Sequence, residues 1–92
     1  MRTTVDDKKL NEIVALLTIY QKSMNPASKE EYLDCAIERA DVERALRAIG
    51  VQLDNEGSIL LMRGVHLQVK KRNPILAAYL QTIWNGVGCW PA

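Results

Sequence analysis

The sequence predicts an α+β fold: two or three N-terminal helices, a small antiparallel β-hairpin or sheet, and a C-terminal apolar helix. Three observations carry that expectation. Apolar residues recur at helical spacing through the first 49 positions, the period turns to alternation after Gly50, and Asn73-Pro74 restarts a helical signal. With 92 residues, 48% of them apolar, the chain can build one core and is short for two. It is read as a single compact domain over 1–92.

The first helix is expected over 6–24. Thr4-Val5-Asp6-Asp7 resembles a capping box, and Leu10, Ile13, Val14, Leu17, Tyr20 and Met24 draw one apolar face. Asn25-Pro26 stops it, because the residue before a proline is pushed out of the helical region. Ser28-Lys29-Glu30-Glu31 is a fuller capping box, so a second helix is expected over 29–49, closed by Gly50. Its stripe changes sides. Leu33, Ala36, Ile37 and Ala40 share one face, whereas Val42, Ala45, Leu46 and Ile49 share another about half a revolution away. Either one helix lies between partners on opposite faces, or two helices meet in a tight turn at Ala40-Asp41.

Strands are expected over 51–54, 58–63 and 65–71. Val51 and Leu53 alternate with Gln52, and Asp54-Asn55-Glu56-Gly57 is a turn cluster whose glycine can take a positive φ. Beyond Gly64, Val65, Leu67 and Val69 alternate with His66, Gln68 and Lys70. The last helix is expected over 74–85, with Asn73 as N-cap and Pro74 at the first helical position. Only Gln81 and Thr82 are frankly polar between Ile75 and Trp84, so this helix must be covered on most sides, by the rest of the chain or by a second copy.

Charge supplies the clearest functional signal. Residues 57–92 contain no aspartate or glutamate and carry +4, while residues 1–56 carry −3 from 8 Lys/Arg and 11 Asp/Glu. Such a split suggests a surface that meets a polyanion. On the last expected strand His66, Gln68, Lys70 and Arg72 point to one side, at a pitch of about 6 to 7 Å, with Arg63 and Lys71 beside them. This rail could contact phosphates or an acidic protein; its alternative is the solvated, lysine-guarded face of an edge strand. Trp90, in a terminal tail, either docks back on the core or anchors a partner. Glu30, Asp34 and Glu38 align three carboxylates that imitate a row of phosphates, face the basic rail or sit in water.

Catalysis and metal binding find no motif. His66 with Cys35 or Cys89 matches no catalytic elbow, and Gly86-Val87-Gly88 is too short for a phosphate loop and follows a helix. One histidine and two cysteines do not make a structural zinc site, and neither a cofactor nor an enzymatic activity is expected. The two cysteines read as reduced packing residues, with a Cys35–Cys89 bridge as the alternative. The N-terminus lacks the apolar core of a signal peptide and no apolar run approaches membrane-spanning length, so a soluble, cytoplasmic protein is expected.

In size, solubility, mixed charge and lack of catalytic motifs, the whole chain resembles the small inhibitor proteins carried by phages, such as the anti-CRISPR proteins. That resemblance implies a non-enzymatic protein that binds a CRISPR surveillance complex, and it assigns no residue. The expected partner is a protein or ribonucleoprotein complex, met through Arg63, His66, Gln68, Lys70, Lys71, Arg72 and Trp90 with nucleic acid as a further contact. A winged-helix DNA-binding regulator is an alternative. It would use helices at 6–24, 29–39 and 42–49, a wing at 51–70, and Arg39, Arg44 and Arg47 on DNA beside Arg63 and Lys70. Asp41 and Glu43 at the start of its recognition helix argue against it, as does a net charge of only +1. The third reading is a homo-oligomer, such as a homodimer, built on the apolar C-terminal helix.

Overall fold

The computed structural model describes residues 7–24, 29–88 and 90, and every regular element among them is a helix. α1 spans Asp7–Ser23, α2 spans Lys29–Arg72 and α3 spans Pro74–Ile83. The expected α+β class is therefore corrected to all-α: residues 51–54, 58–63 and 65–71 are helical. The capping residues proposed at Thr4 and Ser28, and the stop at Asn25-Pro26, lie outside the described residues.

Periodicity explains the correction. Val65 and Val69 are four apart, a spacing that both a two-residue and a 3.6-residue repeat bring to one side. The residues that distinguish the two are Leu61 and Met62, both buried, and Leu67, which is half exposed. Within 59–72, burial at 61, 62, 65 and 69 follows one helical face.

α2 is nonetheless not straight. Gly57 (φ −145°, ψ 15°) and Ser58 (φ 60°, ψ −161°) leave helical geometry. A straight helix of 44 residues would run about 66 Å at 1.5 Å per residue, whereas the longest dimension of the molecule is 46 Å. The helix folds back at this break into two arms, 29–56 and 59–72. The turn cluster at 54–57 thus breaks the chain where the sequence suggests, but it joins two helices instead of two strands. The positive φ falls on Ser58, not on Gly57.

No break occurs at Ala40-Asp41, so the expected alternative of a turn near 41 is corrected to a continuous helix. Gly50 does not end it either. A Cβ at Gly50 would lie 2.8 Å from the Trp84 indole nitrogen and 3.1 Å from Val87 Cγ1. The glycine is a notch for the fully buried Trp84, whose Nε1–H donates to the Leu46 carbonyl at 2.8 Å. That carbonyl lies one turn before Gly50, so a side chain at position 50 would stand in the indole's path.

The core joins one face from each element: Leu10, Ile13 and Leu17 of α1, Val42, Leu46 and Leu53 of the first arm, Leu61, Met62 and Val65 of the second, and Leu76 and Leu80 of α3. α3 starts as expected for an Asn-Pro pair, the Asn73 side chain accepting from the amides of Ile75 at 3.0 Å and Leu76 at 3.4 Å. Arg47 closes its other end, with Nη1 donating to the carbonyls of Ile83 at 2.8 Å and Asn85 at 3.3 Å. The face of α3 that needs covering is covered by this chain itself, since Leu76, Ala77, Leu80 and Ile83 are all buried.

Candidate functional site

On a helix, residues two apart lie about 200° apart. The rail of His66, Gln68, Lys70 and Arg72 is therefore dispersed around the second arm of α2, and no single partner could meet all four. His66 turns inward: its Nε2 lies 3.0 Å from the Ala77 carbonyl oxygen, and its ring is 5.5 Å from that of Trp90. Arg72 reaches α1, Nη1 donating to Asn11 Oδ1 at 2.7 Å. Gln68 is exposed and shares its side of the helix with Arg72, roughly opposite His66 and Lys70. Trp90 docks on the core, with its ring 5.4 Å from that of Trp84 in an edge-on arrangement and only 9% of its surface exposed. The close approach of this tail to the first arm needs Gly88, which has φ +53° and no room for a Cβ against Asp54, 2.6 Å away.

The helix brings a different set together. Leu60, Arg63, Leu67, Lys70 and Lys71 fall within an arc of about 100°, and all five are exposed. Leu60 and Leu67 expose 53% and 50% of their surface. None of the three cations makes an ion pair with a described residue, and residues 57–92 contain no aspartate or glutamate. Leu67 is where strand and helix part, since alternation places it on the buried side of a strand and the helix leaves it exposed.

A second surface lies between α1 and the first arm. Leu16 and Ile19 of α1, with Ile37 and Val42 of α2, floor an open groove of about 370 Å³, and Asp34, Glu38 and Asp41 rim it. Leu33 and Ile37 expose 66% and 63% of their surface. Two of the three carboxylates singled out in the sequence, Asp34 and Glu38, thus stand over an apolar groove; the Glu30 side chain lies outside the described set. Asp41 also takes an exposed contact from Arg44 at 3.3 Å, an arrangement that contributes little in water. The signal for this groove was the stripe that changes sides at Asp41.

Two of the three arginines that the winged-helix alternative places on DNA at 39, 44 and 47 are otherwise engaged. Arg39 donates to the Ser23 carbonyl at 3.3 Å and Arg47 closes α3. The wing itself is absent, since 51–70 is helical apart from the break at Gly57–Ser58. Close to the groove, the Tyr20 hydroxyl donates to Glu43 Oε1 at 3.3 Å. Burial, then the neighbouring Glu43 carboxylate, raise the Tyr20 pKa above its ordinary value.

Among the described residues no three His, Cys, Asp or Glu side chains converge as metal ligands. Cys35 is partly buried, and Cys89, with the question of its pairing, lies outside the described residues. No described helix is long and apolar enough to cross a membrane. Compared with protein-family models, with curated proteins and with solved structures, the chain matches none.

Proposed function

We propose that the protein is a non-enzymatic binding module that docks the second arm of α2, through Leu60, Arg63, Leu67, Lys70 and Lys71, into an acidic, apolar groove on a protein partner. The observation that carries this reading is the mixture of leucines and unpaired cations on one exposed helix face. Leucines seven apart give a helix two anchors for a groove, and the cations beside them select an acidic rim and speed encounter. A bare nucleic acid would satisfy the cations and leave two leucines in water, so a protein, alone or within a nucleoprotein complex, fits better. A phage inhibitor that occupies a CRISPR surveillance complex falls within this class, and a cytoplasmic partner would suit it.

The test is a pull-down from nuclease-treated lysate with wild type, Leu67→Ala, the triple variant Arg63→Ala/Lys70→Ala/Lys71→Ala, and Lys22→Ala as control. One partner retained by wild type and Lys22→Ala but lost by the other two is the expected result. Identical partners for all four proteins would remove the arm from consideration. A partner that wild type captures from untreated lysate and loses after nuclease treatment would turn the reading toward nucleic acid.

A further inference from the structure

The groove between α1 and the first arm has the opposite chemistry to the exposed face of the second arm. We infer that the groove is the seat for the second arm of another copy of this chain, so that two copies associate reciprocally, the arm of each lying in the groove of the other. The inference shares the cationic arm with the proposed function and makes self-association a competitor of the outside partner.

Spacing and charge both favour this occupant. Asp34 and Asp41 on the groove rim are seven residues apart, and so are Arg63 and Lys70 on the arm; each pair spans about 10.5 Å of helix. Leu60 and Leu67 repeat at the same interval, which leaves them within about 20° of one another on the arm, and Ile19, Ile37 and Leu33 offer them exposed apolar surface. The arm cannot fill the groove of its own molecule. Leu61, Met62, Val65 and Val69 hold its other face in the core, which directs the leucine and lysine face outward. A contact between two different patches closes into a pair when two-fold symmetry lets the arm of each copy meet the groove of the other, and otherwise builds a larger ring or an open polymer. The closed pair satisfies both patches at once.

The test uses charge reversal at exposed positions. One variant carries Asp34→Lys and Glu38→Lys, the other Lys70→Glu and Lys71→Glu, with circular dichroism verifying that both remain as helical as wild type. Sedimentation velocity should find wild type dimeric, with a dimer that dissociates as salt is raised. Each variant alone should associate at least about tenfold more weakly, as expected for loss of close interfacial charge pairs. Mixing the two in equal amounts should restore the dimer, because one interface then pairs native groups and the other pairs the same charges reversed. A monomeric wild type up to millimolar concentration, variants that dimerise as wild type does, or a mixture that fails to reassociate would each overturn the inference. The same proteins separate it from the proposed function. Capture of the outside partner should fail with the arm variant and persist with the groove variant, whether or not wild type dimerises.

Discussion

The first arm of α2 carries two apolar stripes of similar composition that meet opposite fates. Val42, Leu46 and Ile49 are buried, while Leu33 and Ile37, between about one and four turns earlier, are about two-thirds exposed. The difference lies in the neighbours. The later stripe faces α1 and the Trp84 side of α3, where Gly50 lets the indole settle onto the helix backbone. The earlier stripe has no described element over it. An apolar stripe therefore states a demand for cover, and whether the chain meets that demand itself decides between stability and binding.

Changes at the closed end should show how much of the fold rests on it. Trp84→Ala removes a fully buried indole together with its hydrogen bond to Leu46, and should cost about 4 kcal/mol in urea unfolding, the range for truncating a buried aromatic. Gly50→Val should cost about 2 kcal/mol by overpacking, since the indole it meets is held in place and cannot yield. Retention of wild-type stability by either variant would mean that the Trp84 contact does not define this end.

Tyr20 gives a smaller and pH-dependent effect. Its folded pKa is raised above the ordinary value of 10.0, so the folded state holds the phenolic proton more tightly than the unfolded chain. The corresponding stability is fully present below pH 10 and is lost as pH rises through the folded pKa. In unfolding experiments between pH 9 and pH 12, a range set by the ordinary tyrosine pKa of about 10, wild type should lose more stability than Tyr20→Phe. Parallel pH profiles would show that Tyr20 is not buried beside Glu43 in solution.

The legible parts of the fold were those with local punctuation. α1 and α3 lie within a residue or two of their expected bounds, because a single apolar face and an Asn-Pro start are properties of a few consecutive residues. The region 51–70 is ambiguous in sequence because Val65 and Val69 fit two periods, and because Gly50 and Gly57 look alike as punctuation. Gly50 serves a contact with Trp84, 34 positions along the chain, which no local pattern announces. The candidate site followed the same division. The charge asymmetry points to 63–72, but which of its cations share a face depends on secondary structure. His66 and Trp90, chosen for their chemistry, belong to a packed aromatic cluster.

The contrast between the two stripes is tested most directly by one matched pair, Leu46→Ala and Ile37→Ala, compared by urea unfolding at a protein concentration low enough to keep the chain monomeric. Leu46→Ala should lose about 3 kcal/mol, as for a buried leucine, and Ile37→Ala should stay within about 0.5 kcal/mol of wild type, as for an exposed site. Equal losses at the two positions would mean that the early stripe is part of the core and that no open groove exists.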